Sequence, residues 1–184
     1  ASMGIYIFRP EVLIKVLEDR SHIDFGKEVI PATIRTQRVQ SFFFTGYWED
    51  IGTIRTFYAA NIELTSSNPP LDLFSERAPI FTRPRLLPGS RLENVQLRES
   101  IICDACRVSE ATIEQSVVGI RSIIGRGARL RQTVVMGADF FSGEEEGLAA
   151  SDEVPLGIGS DCVIERAIID KNARIGDGVV IRSA

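Results

Sequence analysis

The sequence is poor in several features that define common protein classes. It has three cysteines in 184 residues, an odd number that favours a reducing compartment over a disulfide scaffold. Its longest apolar runs, such as residues 5–8, are too short to cross a bilayer. A net charge of −4 and a sequence pI of about 5.2 do not favour a general nucleic-acid-binding surface. We therefore expect neither a membrane nor a nucleic acid among the partners.

An aliphatic side chain returns every five or six residues in the second half of the chain. A helix has a period of about 3.6 residues and a strand a period of about 2, so neither explains this spacing. A coil of short parallel strands does, with three faces per turn and one aliphatic side chain per face pointing inward. We predict such a coil over residues 91–184, with a loop inserted at 137–157. The repeated residues are Leu92, Leu97, Ile102, Val108, Ile113, Val118, Ile124, Leu130 and Val135, then Ile158, Ile164, Ile169, Ile175 and Ile181.

Cys103 and Cys106 have the spacing of a redox or metal motif. The repeat gives a structural alternative, because cysteine behaves as a small hydrophobic residue. The fifth position of the repeat units holds small side chains: Cys106, Ala128 and Cys162, and by the same count Thr112, Val134 and Val179. We interpret the cysteines as structural.

Residues 1–64 have the pattern of an α/β domain. The predicted elements are a strand over 3–8, a helix over 10–18, a short helix over 24–30 that ends at Pro31, a strand over 38–45, and a helix over 54–64 capped by Thr53. Two strands cannot form a covered sheet by themselves. We therefore expect part of this domain to precede Ala1. Residues 65–90 contain five of the eight prolines and are predicted to form an extended, semi-rigid linker.

Asp50 lies between the second predicted strand and the helix that follows it. Ligands of α/β folds bind at the carboxyl ends of strands, and a carboxylate there is a suitable ligand for Mg²⁺. The alternative is an Asp-x-Gly turn that leads into the Thr53 cap, with Trp48 as a packing residue. The local pattern leaves both interpretations open.

Six motifs in a fixed order resemble one known family. They are ASMGIY (1–6), DFGKEVIP (24–31), YWEDIGT (47–53), MGAD (136–139), VPLGIG (154–159) and AIIDKNARIG (167–176). The series is similar to ADP-glucose pyrophosphorylase (glucose-1-phosphate adenylyltransferase) over essentially the whole chain. In that family, a nucleotidyltransferase domain converts ATP and glucose 1-phosphate to ADP-glucose and pyrophosphate with Mg²⁺, in glycogen or starch synthesis. A left-handed parallel β-helix follows it.

The resemblance implies a domain organisation and a set of site residues. Residues 1–64 would be the C-terminal part of the nucleotidyltransferase domain, 65–90 the linker and 91–184 the β-helix. Ser2 and Tyr6 would contact the sugar phosphate, Asp24 and Phe25 the glucose ring, and Trp48 the same pocket, while Asp50 would be the catalytic Mg²⁺ ligand. Alternatives remain, since Ser2 could be a plain strand residue, Asp24 a helix cap and Phe25 a core residue.

The resemblance also implies regulation and assembly. Arg83, Arg85, Asp170 and Lys171 fall on positions associated with anionic sugar-phosphate effectors. The alternative for the arginines is a solvated surface, since arginine is also scattered over the turns of the coil. The family implies a homo- or hetero-oligomer (a tetramer) in a bacterial cytoplasm or, as a second choice, a plastid stroma.

One departure from the family is as informative as the match. Its glycine-rich phosphate loop and its catalytic arginine and lysine have no counterpart here, so we expect the chain to be incomplete and inactive alone. The β-helix of the family also continues beyond the last motif. A regulatory or structural subunit is the main alternative. A hexapeptide-repeat acyltransferase is a weaker one, because such enzymes commonly use a histidine in the coil and His22 precedes it.

Overall fold

A computed structural model describes residues 2–141 and 154–183 of the chain. It divides into two compact units, Ala1–Gly46 and Tyr47–Ala184. The domain boundaries predicted after residues 64 and 90 stay predictions. Among the described residues, no helix is both long enough and apolar enough to cross a membrane.

The first unit contains two helices. Helix α1, Pro10–Leu17, begins with Pro10 in its first turn, where a missing N–H costs nothing. A π-helical turn, Phe25–Val29, continues directly into helix α2, Ile30–Thr36. The prediction that Pro31 ends this helix is wrong, because Pro31 lies in the first turn of α2, a position that tolerates proline.

The two strands predicted in the first unit are absent from the structure over residues 2–46. Segments 3–8 and 38–45 form no strand pairs, and their apolar side chains are largely exposed, as Ile7 (98%) and Phe42 (90%) show. A strand forms only when its backbone can hydrogen-bond to a neighbouring strand. A sequence that favours a strand does not by itself provide that partner.

The second unit opens with helix α3, Ile54–Glu63, as predicted. The Thr53 hydroxyl accepts a hydrogen bond from the Thr56 amide while the Thr56 side chain accepts one from the Thr53 amide, which closes a capping box. From residue 66 to residue 90, the chain contains no helix or strand.

A coil of short parallel strands makes up the rest of the unit. The twelve strands of its described part are β1 (Arg91–Glu93), β2 (Gln96–Arg98), β3 (Ile101–Ile102), β4 (Arg107–Ser109), β5 (Thr112–Glu114), β6 (Val117–Val118), β7 (Ile123–Ile124), β8 (Arg129–Val135), β9 (Gly157–Ile158), β10 (Val163–Ile169), β11 (Arg174–Ile175) and β12 (Val180–Arg182). All the recorded strand pairs are parallel, and each strand pairs with strands one turn away. The predicted inserted loop falls between β8 and β9, and its residues 142–153 lie outside the described part.

The predicted inward residues form three stacks in register. The stacks are Leu92, Val108, Ile124, Ile158 and Ile175; Leu97, Ile113, Leu130, Ile164 and Ile181; and Ile102, Val118, Val135 and Ile169. The middle of each stack is buried, as in Ile113 (0%) and Ile164 (0%). Leu92 and Leu97, in the first turn, are 42% and 45% exposed. The repeat therefore predicts both the coil and its core.

The structural interpretation of the cysteines is confirmed for two of them. Cys106 and Cys162 are 1% and 0% exposed, and each thiol donates to a backbone carbonyl at 3.1 Å. Burial raises the pKa of the Cys106 thiol, which keeps it protonated. Cys103 is only partly buried.

The small-residue position is miscounted in the five-residue repeat units. It lies two residues before the next inward aliphatic, so Ala111 (2% exposed) and Thr133 (0%) occupy it. The assignments of Thr112 and Val134 to this position are wrong. Val134 instead precedes an inward residue directly and faces away from the coil axis.

Candidate functional site

Three of the predicted sugar-phosphate residues contact one another in the first unit. The hydroxyl oxygens of Ser2 and Tyr6 lie 3.0 Å apart, and the Gly4 amide donates to Ser2 Oγ at 3.2 Å. The rings of Tyr6 and Phe25 are stacked, with centroids 6.1 Å apart and planes inclined by 17°. Two hydroxyls and an aromatic surface thus lie side by side, although 19 positions of sequence separate Tyr6 from Phe25 (25 − 6).

Asp24 joins this group through Gly26. Its Oδ1 accepts a hydrogen bond from the Lys27 amide at 2.7 Å, so the predicted helix cap is formed. A Cβ placed on Gly26 would lie 3.5 Å from Asp24 Oδ1 and 4.0 Å from the Tyr6 hydroxyl. Gly26 therefore leaves room for a methyl group beside a carboxylate and a phenol. We call Ser2, Tyr6, Asp24, Phe25 and Gly26 the hydroxyl–aromatic cluster.

Trp48 and Asp50 lie in the second unit, in the segment before α3. Asp50 Oδ1 accepts a hydrogen bond from the Gly52 amide at 3.1 Å, so the Asp-x-Gly turn is also formed. Trp48 is 44% exposed. No cluster of three candidate metal ligands occurs among the described residues. Asp50 is a hard oxygen donor and fits as one ligand of Mg²⁺, while substrate phosphates or waters would have to supply the others.

Lys171, a predicted anion-binding residue, is engaged with a carboxylate of the same chain. Its Nζ lies 2.8 Å from Asp139 Oδ1, and the Asn172 side-chain amide donates to Asp139 Oδ2 at 3.0 Å. The Asp139 amide in turn donates to Asn172 Oδ1 at 2.9 Å. The hydrogen bond from Lys171, followed by that from Asn172, lowers the pKa of Asp139 below 3.8. Asp170 Oδ1 accepts from the Lys171 backbone amide at 2.7 Å.

Arg83 and Arg85 are exposed. The end of their segment is fixed to the coil, because the Pro88 carbonyl accepts a hydrogen bond from the Ala105 amide at 2.9 Å. This hydrogen bond anchors the end of the segment, and the role of Arg83 and Arg85 in anion binding stays a prediction.

Sequence reasoning missed the roles of two residues. Asp139 belongs to the MGAD motif but had no assigned partner, because the sequence alone does not say that position 139 meets position 171. Tyr58 lies on the helix predicted over 54–64 and was assigned no role, yet its hydroxyl donates to the Gln132 carbonyl at 2.7 Å. The sequence does contain a signal for the contact between Tyr58 and the coil. On one face of the coil, two successive residues are aliphatic in each turn, at 101–102, 117–118, 134–135 and 168–169.

Two family models match the chain. Residues 1–67 match the family described as "Nucleotidyl transferase", and residues 85–184 match "GLGC left-handed parallel beta-helix domain". The second match covers more than half of the chain, and its description agrees with the parallel coil and its three stacks. The first covers the hydroxyl–aromatic cluster and the Asp50 segment. The chain thus belongs to the family of the GLGC left-handed parallel β-helix domain, as part of an ADP-glucose pyrophosphorylase-like nucleotidyltransferase.

Proposed function

We propose that this chain is part of a glucose-1-phosphate adenylyltransferase and carries part of its sugar-phosphate site. In this reaction a phosphate oxygen of glucose 1-phosphate attacks the α-phosphorus of ATP, the bond to the β-phosphate breaks, and ADP-glucose and pyrophosphate form. Such a reaction depends mainly on positioning and on stabilising phosphate charge. The product would feed glycogen synthesis in a bacterial cytoplasm or starch synthesis in a plastid.

The observation that carries the proposal is the hydroxyl–aromatic cluster. Ser2 and Tyr6 offer two hydroxyl donors to a phosphate, and the Asp24 carboxylate offers acceptors to sugar hydroxyls. The stacked ring of Phe25 supplies an apolar wall, and it is 40% exposed. Polar groups beside an aromatic face are typical of a site for a phosphorylated sugar.

Asp50 would contribute one carboxylate ligand to Mg²⁺, which neutralises phosphate charge in such reactions. Residues 2–64 contain no glycine-rich loop of the kind that holds a triphosphate. We therefore propose that ATP is bound by a further part of the enzyme. The chain alone would then bind glucose 1-phosphate without making ADP-glucose.

The coil would carry regulation and assembly. Lys171, with Arg83, Arg85 and Asp170, would bind an anionic sugar-phosphate effector, and the coil would associate into a homo- or hetero-oligomer. An effector that binds Lys171 would meet the negative charge of Asp139, which is already paired with the same ammonium group.

A second candidate is a regulatory or structural subunit without catalytic activity. It is favoured by the local hydrogen bonds of Asp24 and Asp50, which cap a helix and close a turn. Both carboxylates would then have a purely structural role. The two candidates differ in whether the chain binds glucose 1-phosphate through Asp24.

Calorimetric titration of the chain with glucose 1-phosphate tests the proposal. Wild type should bind, and Asp24→Asn should bind at least about tenfold more weakly, because a carboxylate accepts two sugar hydroxyls better than an amide does. Asp19→Asn is the matched control, since Asp19 is an exposed carboxylate of the same unit bonded to Ser21. Equal binding by wild type and Asp24→Asn would contradict the proposed sugar site and favour the subunit alternative.

A further inference from the structure

Helix α3 packs on the outside of the coil. It contacts strand β8, and the Tyr58 hydroxyl donates to the Gln132 carbonyl at 2.7 Å across 74 positions of sequence. Phe57, Tyr58 and Ile62 are partly buried, whereas Ile54, in the first turn, is 80% exposed. The helix thus turns one side toward the coil.

The coil offers an apolar surface where α3 lies. On one face, the residue before each inward aliphatic is itself aliphatic, and these outward residues are in register: Ile101, Val117, Val134 and Ile168. Val134 faces away from the axis and is nevertheless only 3% exposed. It belongs to β8, the strand that α3 contacts. An outward side chain is buried to this degree only when another element covers it.

The hydrogen bond of Tyr58 adds direction to this apolar contact. Gln132 has a left-handed backbone (φ 49°) at a corner of the coil, and its carbonyl accepts the Tyr58 hydroxyl there. Burial raises the pKa of the Tyr58 phenol, so the hydroxyl keeps its proton and remains a donor at neutral pH. This donor–acceptor pair therefore favours one rotation of the helix on the apolar surface of the coil.

The segment that precedes α3 has little freedom of its own. The capping box holds the helix start at Thr53, and the Gly52 amide is bonded to the Asp50 carboxylate at 3.1 Å. Two residues lie between Asp50 and Thr53, so the capping box and the Asp50–Gly52 hydrogen bond together hold the carboxylate close to the start of α3. A shift of α3 on the coil would therefore also displace Asp50.

We propose that Tyr58 is a positioning residue, whose hydrogen bond to Gln132 docks α3 on the coil and thereby fixes the Trp48–Asp50 segment. The part of this inference that concerns Mg²⁺ rests on the proposed function of Asp50. The docking itself does not. The coil then serves as the base on which a candidate catalytic carboxylate is held, in addition to carrying effectors and oligomer contacts.

The only tryptophan of the chain lies two residues before Asp50, so it reports on this segment without a label. The experiment compares acrylamide quenching of Trp48 in wild type and in Tyr58→Phe, which removes only the hydroxyl. We expect the quenching rate constant to rise about twofold in Tyr58→Phe, because a released segment opens more often to solvent. Ala59→Ser, on an exposed position of the same helix, is the control and should behave like wild type. Circular dichroism verifies that each variant is folded.

Addition of Mg²⁺ alone separates the two parts of the inference. If Asp50 binds the cation, Trp48 emission responds to Mg²⁺ and the midpoint rises about threefold or more in Tyr58→Phe, since a mobile ligand binds less tightly. Altered quenching in Tyr58→Phe, with no Mg²⁺ response in either protein, would support the docking role and count against the proposed cation role of Asp50. Identical quenching in wild type and Tyr58→Phe would overturn the positioning role of Tyr58.

Discussion

The Asp139 carboxylate and the Lys171 ammonium group form an ion pair of 2.8 Å between positions 32 residues apart. The Asn172 amide binds the second carboxylate oxygen at 3.0 Å. Lys171 and Asn172 thus already bind an anionic group of the protein itself, the Asp139 carboxylate. An external phosphate that binds Lys171 meets the negative charge of Asp139 on the same ammonium group, which makes Asp139 an internal competitor.

Removal of this competitor should strengthen phosphate binding. We expect Asp139→Asn to bind inorganic phosphate about two- to fivefold more tightly, the free-energy range of an exposed ion pair. Lys171→Gln should bind more weakly than wild type. Calorimetric or NMR titration of the chain with phosphate measures both effects.

Glu110→Gln controls for the change in net charge, because Glu110 is an exposed carboxylate at another corner of the coil. An unchanged phosphate affinity in Asp139→Asn would refute the competition. An unchanged affinity in Lys171→Gln would remove Lys171 from the anion site.

The same ion pair predicts a pH dependence of stability. The pKa of Asp139 is lowered in the folded state, so the folded protein binds a proton less readily there than the unfolded chain. The stabilising contribution is therefore fully present above the ordinary value of 3.8 and is lost as the pH falls through the lower folded-state pKa. Urea unfolding measured from pH 6 downward should show a smaller acid-induced loss of unfolding free energy in Asp139→Asn than in wild type. Superimposable pH curves would contradict this contribution.

The stacked core predicts a gradient of sensitivity along the coil. Ile113 is 0% exposed and Leu97, its neighbour in the same stack, is 45% exposed. Ile113→Ala should lower the free energy of unfolding by about 2–5 kcal/mol through lost burial and a cavity. Leu97→Ala should lower it by about 1 kcal/mol or less, since much of its side chain is already in solvent. Equal losses in chemical denaturation would mean that the coil is not packed as described.

Gly26 allows the sugar site to be tested without disturbing the fold. A methyl group there would stand 3.5 Å from Asp24 Oδ1 and 4.0 Å from the Tyr6 hydroxyl, in contact with both groups but without a clash. Because alanine has a higher helix propensity than glycine, Gly26→Ala should leave the thermal midpoint of unfolding unchanged or slightly raised. Affinity for glucose 1-phosphate should fall about tenfold, or ~1.4 kcal/mol. Undiminished binding by a folded Gly26→Ala protein would show that the sugar does not occupy this space.

The coil could be predicted in detail because every turn repeats one environment. Each inward aliphatic residue packs against the equivalent residues one turn above and below. The spacing in the sequence therefore predicts which residues pair, as Val108 and Ile124 do. The strands at 3–8 and 38–45 depend instead on a partner that the sequence pattern does not contain. The composition of these segments favours strands, but composition does not determine whether a pairing partner is present.

The hydroxyl–aromatic cluster was predicted by family resemblance and not by local pattern. Ser2 and Asp24 each fit a purely local structural role. Only the fold places Ser2 against Tyr6, and Tyr6 and Asp24 beside Gly26. Two contacts were missed for a related reason. The pairs Asp139–Lys171 and Tyr58–Gln132 join distant segments, and no local spacing encodes such a contact.

The most direct measurement is a complementation assay for the proposed reaction. The chain is combined with the N-terminal nucleotidyltransferase segment expected from the family, and pyrophosphate release from ATP and glucose 1-phosphate is followed with Mg²⁺. We predict activity with the pair and none with either part, a loss with Asp50→Asn, and no change with Asp104→Asn, an exposed carboxylate of the coil. Activity that survives Asp50→Asn, or pyrophosphate release by this chain alone, would contradict the account.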